Sequence, residues 1–345
     1  MRAEAIWRRL CDANLVCGEM PSPDTEAAHW PIRLLLGFAG WLAALLLFGF
    51  FALAIDDLYD NAIGMMTLGA ALCGAATLLF RAPRSQIFVQ QLGLAFALAG
   101  QAALWWGVYQ WYDGNRVGAH LSVVAIELAL VWLMPNYLHR ILAALAAGCF
   151  FYLALSGLGV PGMAAVCYAL LFVLLWLNES QWLDRAALFE PVGIALALLL
   201  LVVSVGVDPI GFGHRSSAPP AWTGVLTDIA TGMIFIGAIT KLLQQTETPW
   251  RSGASIAALA GAVLLAVLCA PAPGMLPALL VLLVGFARGH RFIWVLGMLA
   301  LIGYGSHYYY SLEYTLLAKS AVLAVTGIAL LLARAVMHRL GGAHA

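Results

Sequence analysis

Long apolar runs alternate with short polar breaks along almost the whole chain. A helix of about 20 apolar residues crosses the hydrocarbon core of a bilayer, and breaks rich in proline, glycine or charge divide the sequence into runs near that length. Breaks of this kind mark the ends of membrane helices. The pattern predicts twelve helices, near residues 34–55, 61–80, 87–108, 117–135, 140–156, 161–178, 190–207, 222–243, 252–270, 273–287, 291–306 and 312–334.

Composition places the chain among membrane proteins. Hydrophobic residues make up 63% of the 345 positions and charged residues 10%, whereas soluble domains carry about 25% charged residues. The 17 basic and 17 acidic residues give a formal net charge of zero, which leaves no electrostatic footprint for nucleic acid. We therefore expect an all-α integral membrane protein, a polytopic bundle of about 12 transmembrane helices whose main partner is the lipid bilayer.

The first 33 residues differ from the rest of the chain. They carry several acidic residues and lack the basic-then-apolar layout of a cleaved signal peptide. Within them AEAIWRRLCDANLV predicts a short amphipathic helix with Ile6, Trp7 and Leu10 on one side, which PSPD then ends. We interpret residues 1–33 as a cytosolic leader and 34–345 as the transmembrane domain.

Lysine and arginine positions predict the orientation, because cytoplasmic loops carry an excess of both. With twelve helices and a cytoplasmic N-terminus, 14 of the 17 fall in inner segments, Arg116 and Arg215 fall in outer loops, and Lys319 lies within a helix. Adding or removing one helix would reverse every later loop. The partition therefore predicts an even number of crossings with both termini in the cytoplasm.

Two predicted hairpins resemble each other. Each enters a helix of small residues from a basic position and turns at a PGM tripeptide, one beginning at Pro161 and the other at Pro273. Internal repeats of this kind are common in transporters. We therefore hypothesise three four-helix repeats, 34–135, 140–243 and 252–334.

One ionisable residue lies at a similar depth in the last helix of each repeat: Glu127, Asp228 and Lys319. A charge at the centre of a membrane helix is unfavourable by about 2.5–3.5 kcal/mol on insertion scales, so such residues usually pair with each other. These three form a candidate intramembrane charge cluster. The alternatives are structural pairing, a Lys319 side chain that reaches the outer interface, and chance placement.

Other chemical signatures are weak. The six cysteines form no CxxC pair and the histidines no HxxxH or HExxH spacing, and neither a P-loop nor a G-x-S-x-G motif occurs. We expect no enzyme activity, metal or cofactor. Gln90, Gln91 and Gln101 of the third helix are interpreted as interhelical hydrogen-bonding residues.

The stretches HWPIRLLLGFAGWLAALLLFGFF and YYYSLEYTLLAKSAVLAVTGIALLLAR resemble the two ends of a bacterial membrane family catalogued as domain of unknown function 4401. The resemblance covers almost the whole chain. It implies a multi-pass inner-membrane protein, often encoded beside a second membrane protein and a small membrane-anchored protein named for its GDYxxLxY motif. It implies no activity and assigns no residue a role.

Two functions follow from these observations. In the first, the protein is the membrane subunit of an envelope complex and docks a partner, such as the GDYxxLxY-type protein, through Tyr308, Tyr309, Tyr310 and Glu313 on its outer face. In the alternative, it is a secondary transporter that uses the charge cluster as its coupling site.

Overall fold

The computed structural model describes residues 60–81, 87–205, 221–246, 252–270 and 272–311, with isolated residues between 7 and 12, between 35 and 49, and at 249. Within these residues the regular structure is helical and no strand occurs. The helices are α1 (Ala62–Phe80), α2 (Ile87–Trp111), α3 (Arg116–Leu133), α4 (Tyr137–Gly157), α5 (Gly162–Leu177), α6 (Ala186–Ser204), α7 (Ala221–Gln245), α8 (Gly253–Cys269), α9 (Met275–Ala287) and α10 (Arg291–Ser311).

These helices agree with the predicted ones to within a few residues. Two further predictions fall partly on described positions: Leu35 and Leu46 are helical inside the predicted span 34–55, and Trp7 is helical in the leader. The last predicted helix, 312–334, lies outside the described residues. The hydrophobic pattern was therefore sufficient to locate the helices that the structure describes.

Six described helices are long and apolar enough to cross a membrane. They are α1, α2, α3, α4, α6 and α7. The three shorter apolar helices are α5, α8 and α9. The protein is accordingly an all-helical membrane protein. The count of twelve crossings remains a prediction.

Asparagine side chains cap the helices that carry the polar interior. Asn61 Oδ1 accepts from the Gly64 amide before α1, Asn115 Oδ1 from Gly118 before α3, and Asn136 Oδ1 from His139 before α4. Such caps satisfy amides that have no partner within the helix. They begin α3 and α4 at defined residues, and so fix the depth of every side chain that follows.

Glycines bring α1 and α2 into direct backbone contact. A Cβ at Gly100 would lie 2.7 Å from Cys73 Sγ and 2.9 Å from the Gly69 carbonyl oxygen, and one at Gly107 would lie 2.7 Å from the Ala62 carbonyl oxygen. Small residues allow membrane helices to approach this closely. The contact holds the face of α2 next to Gly100, which includes Gln101, at a fixed position in the bundle.

A second set of contacts joins the C-terminal ends of α5, α7 and α9. Arg288 donates to the Leu177 carbonyl at 2.6 Å and to Gln245 Oε1 at 2.9 Å, and Lys241 donates to Asn178 Oδ1. Cations are favourable at helix C-termini, where carbonyl groups lack partners. The three ends therefore lie on one side of the bundle.

The two PGM turns differ in backbone conformation. Pro161 is right-handed helical and the positive φ of that turn belongs to Gly159, at 80°, whereas Gly274 inside the second tripeptide has φ 87°. The packing differs in part as well, because α4 packs on both α3 and α6, whereas α8 packs mainly on α7 and makes no comparable contact with α10. The threefold repeat is not confirmed, and its last helix lies outside the described residues.

Candidate intramembrane site

The candidate site is built on the antiparallel pair α2 and α3. Gln101 lies about as many residues before the turn at 112–115 as Glu127 lies after it, and residues at equal distances from such a turn meet across the pair. Trp105 is one helical turn from Gln101 on the same face of α2. The connection therefore places both α2 side chains against Glu127.

Glu127 is the only acidic residue with 0% exposure among the described residues. Its Oε2 accepts a hydrogen bond from Gln101 Nε2 at 2.8 Å, and its Oε1 accepts one from Trp105 Nε1 at 2.7 Å. Each carboxylate oxygen thus has one neutral N–H donor. Among the described residues the carboxylate makes no ion pair.

His139 extends this network to α4. Its Nε2 lies 3.2 Å from Gln101 Nε2, the same amide nitrogen that donates to Glu127. The imidazole has 0% exposure, its Nδ1 has no hydrogen-bond partner among the described residues, and its ring lies 5.9 Å from that of Phe80. One amide nitrogen therefore contacts two ionisable side chains in a buried site.

Apolar residues surround the network on both sides. Cys73, Ala97, Leu130 and Met134 pack in a buried cluster toward the His139 end, and Val123 and Phe150 belong to another toward the Trp105 end. Within the first cluster the Cys73 thiol lies against the Ala97 carbonyl group. A carboxylate in such surroundings loses the solvation of water and depends on its two N–H donors.

Aromatic side chains continue from the network toward the α2–α3 turn. The Trp105 ring packs edge-on against Phe150 at 4.9 Å, the Tyr109 ring packs edge-on against His120 at 5.6 Å, and the Arg116 guanidinium lies 5.7 Å from the Tyr109 ring. Tyr109 and Arg116 line a cavity of about 540 Å³ at this end of the helices. The face of α2 that carries Trp105 and Tyr109 therefore extends from a surface cavity to the buried Glu127 carboxylate.

A family profile described as Domain of unknown function (DUF4401) matches residues 29–340. The chain belongs to the DUF4401 family. No curated protein and no solved structure matches it. The family assignment confirms the resemblance carried by the two ends of the sequence, and it brings no described activity with it.

The structure describes two of the three residues in the predicted charge cluster of this DUF4401 protein. Glu127 is buried between α2 and α3, whereas Asp228 is exposed on α7, whose packing partners are α5, α8 and α9. Lys319 lies outside the described residues. The carboxylate of Glu127 bonds to Gln101 and Trp105 and not to Asp228, and pairing with Lys319 remains a prediction.

The predicted outer-face contacts lie at the end of α10. Tyr310 is 80% exposed, and its ring lies 5.4 Å from that of Tyr309 in an edge-on arrangement. Tyr308 is partly buried, and Glu313 lies outside the described residues. Tyr310 is thus the most exposed of the three described tyrosines of this set in the DUF4401 chain.

Sequence reasoning missed Trp105 and His139. The interpretation of Gln101 as an interhelical hydrogen-bonding residue agrees with its bond to Glu127. The spacing of Gln101 and Glu127 about the turn at 112–115 was a usable signal for that pair and, through the next turn of α2, for Trp105. His139 had no such signal, since it approaches Gln101 only when α4 docks on α2 and α3.

Proposed function

We propose that the protein is a secondary transporter of the bacterial inner membrane with Glu127 as its ion-coupling residue. The observation that carries this proposal is a fully buried carboxylate whose described hydrogen-bond partners are all neutral. Ionisable residues inside a membrane bundle are rare and mark ion or proton pathways.

The geometry favours a coupling role over a purely structural one. Amide–amide or hydroxyl hydrogen bonds would join α2 to α3 without placing a charge in an apolar interior, where an isolated ion is highly unfavourable. A carboxylate, unlike those groups, can also bind and release a proton or another cation. The aromatic side chains between Trp105 and the cavity at Arg116 mark a route for an ion from that cavity to Glu127.

The transport proposal predicts that Glu127→Gln abolishes coupled flux while leaving the fold intact, because glutamine keeps the shape and loses the charge. Solid-supported-membrane currents would be recorded from proteoliposomes under an ion gradient as fractions of a bacterial metabolite extract are applied. At least one fraction should elicit a current with the wild type and none with Glu127→Gln. The matched control is Glu190→Gln, whose carboxyl group is partly exposed. Currents that survive in Glu127→Gln, or no current with any fraction, would contradict the proposal.

The proposed topology has twelve crossings with both termini in the cytoplasm. It is supported by the distribution of lysine and arginine and by the common side on which Lys241 and Arg288 meet. Reporter fusions after Asp60 and Ser306 should therefore report the outer side, and a fusion after Arg288 the cytoplasm. An outer signal at Arg288 would overturn the orientation, since every later loop would reverse.

A second candidate is the membrane subunit of an envelope complex, supported by the exposed Tyr310 at the end of α10. Tyrosine is enriched among binding hot spots, and truncation of a hot-spot residue weakens binding by about 2 kcal/mol or more. Purification in mild detergent should recover a GDYxxLxY-type protein with the wild type and lose it with Tyr310→Ala. Trp132→Ala removes another exposed aromatic residue, on α3, and should retain the partner. Equal recovery with both variants would exclude Tyr310 as a contact.

A further inference from the structure

The arrangement around Gln101 determines which ion Glu127 can take. Sodium sites in transporters are formed by oxygen ligands, among them carbonyl groups of unwound helices. Among the described residues, the groups that hydrogen-bond to Glu127 are instead N–H donors, one on each carboxylate oxygen. An N–H group directs its positive end at the carboxylate, where it would repel a metal cation, whereas a proton needs only one lone pair.

The shared amide atom also links Glu127 to His139. One end of the Gln101 amide contacts Glu127 Oε2 at 2.8 Å and His139 Nε2 at 3.2 Å. When this end is the NH₂ group, it donates to both, so Glu127 is ionised and His139 Nε2 is a bare acceptor. When the amide has turned over, the carbonyl oxygen accepts from both, so Glu127 is protonated and His139 carries a hydrogen on Nε2.

The first hydrogen-bonding pattern stabilises the ionised Glu127 carboxylate, and the second suits the Nε2 tautomer of His139. In the first, the ionised carboxylate gains its donor, but the neutral imidazole must carry its hydrogen on Nδ1, which is buried with no acceptor among the described residues. In the second, Nδ1 is a bare lone pair and the carboxyl group is neutral, which suits the apolar surroundings. The side chains of Gln101, Glu127 and His139 can therefore adopt either hydrogen-bonding pattern, and each pattern excludes the other.

We propose that the ligand of Glu127 is a proton and that the Gln101 amide converts its binding into a tautomer change of His139. The proposal rests on the transport function above and specifies its coupling ion. One proton binds to Glu127 Oε2, the amide turns over, and the imidazole releases the Nδ1 hydrogen to water and receives one from water on Nε2. The imidazole stays neutral, so the net uptake is one proton and the charge of the site changes from −1 to zero.

Other charged groups near the site do not supply this switch. The Arg140 guanidinium, next to His139 in sequence, donates to the carbonyl groups of Val131 and Ala187. On α1 the facing titratable group is the Cys73 thiol, which lies against the Ala97 carbonyl. On α2 the facing groups are Gln101 and Trp105, neither of which titrates. Glu127 and His139 are therefore the two groups that the amide joins.

The test combines two equilibrium measurements on the full chain in nanodiscs. Infrared spectra follow the carboxylic-acid C=O band of Glu127, identified by its loss in Glu127→Gln. Nitrogen NMR of ¹⁵N-histidine protein follows the tautomer of His139, identified by loss of its signals in His139→Gln. We expect the His139 tautomer to change over the same pH interval as the Glu127 band, and to be independent of pH in Glu127→Gln. A tautomer that stays constant while Glu127 titrates, or that changes equally in Glu127→Gln, would overturn the link.

A second arm follows the same Glu127 band of the wild-type protein in two buffers. If the ligand is a proton alone, the midpoint of the Glu127 band is the same in sodium and choline buffers. A midpoint that falls to lower pH in sodium would identify a competing metal cation and overturn the proton assignment, while leaving the transport function standing. Conversely, coupled titration without any extract-induced current would refute transport and leave the switch intact.

Discussion

Replacing Gln101 with leucine is expected to lower the free energy of unfolding by about 3 kcal/mol, because it leaves the buried Glu127 carboxylate without one of its two donors. An unsatisfied buried polar group is unfavourable by about 1–3 kcal/mol, and by more when it is charged. His139 loses its only described hydrogen-bond contact on the ring in the same step. The measurement is reversible unfolding in detergent micelles, followed by circular dichroism.

Two comparisons make this result specific to the network. Gln91→Leu removes a half-buried amide from the same helix and should change stability by no more than about 0.5 kcal/mol, as most changes away from such contacts do. The double variant Gln101→Leu with Glu127→Gln should be more stable than Gln101→Leu alone, since no charge is then stranded. Equal stability of Gln101→Leu and Gln91→Leu would mean that the carboxylate is solvated by other groups.

Gly297→Ala is expected to destabilise the protein by up to about 3 kcal/mol, the upper range for overpacking a tight interior. A Cβ at this position would lie 2.5 Å from the Leu282 amide nitrogen and 2.7 Å from Leu282 Cα, and one at Gly285 would lie 2.6 Å from the Trp294 amide nitrogen. These are backbone atoms, so no side-chain rotation can relieve the contact. α9 and α10 would have to separate.

Gly303→Ala is the control for Gly297→Ala, because it makes the same change in the same helix. A Cβ at Gly303 meets no atom of the described residues within 4 Å, and alanine is the better helix former by about 1 kcal/mol. Thermal unfolding in one detergent should therefore rank Gly303→Ala at or above the wild type and Gly297→Ala well below it. Similar midpoints for the two variants would show that α9 and α10 are less closely packed.

At Glu127 the expected effects of substitution on stability and on transport have opposite signs. Glu127→Gln removes a charge from an apolar site and should preserve or raise stability, yet it should abolish coupled flux. A residue retained only for packing would show the reverse relation. Functional sites often keep such locally unfavourable groups, so measuring stability and flux on the same variant separates a coupling residue from a structural one.

Local patterns in the amino-acid sequence were enough to locate the described helices and to assign the family. Apolar runs, polar breaks and caps such as Asn115 and Asn136 are local signals, because a membrane helix satisfies its backbone hydrogen bonds within itself. The two ends of the chain also carried the resemblance that the family match over residues 29–340 confirms. Gln101 and Glu127 lie at similar distances from one short turn, but the charge-cluster hypothesis grouped Glu127 with Asp228 and Lys319 instead.

Which of the ionisable residues is enclosed depends on how the helices pack. Glu127 and Asp228 each lie 13 residues before a basic residue, Arg140 and Lys241, yet one has 0% exposure and the other is exposed on α7. In a soluble helix the polar face would reveal the difference, but lipid is as apolar as a protein interior, so both faces of a membrane helix have similar composition. Burial at Glu127, and its connection to His139 through Gln101, therefore depend on how α2, α3 and α4 pack together.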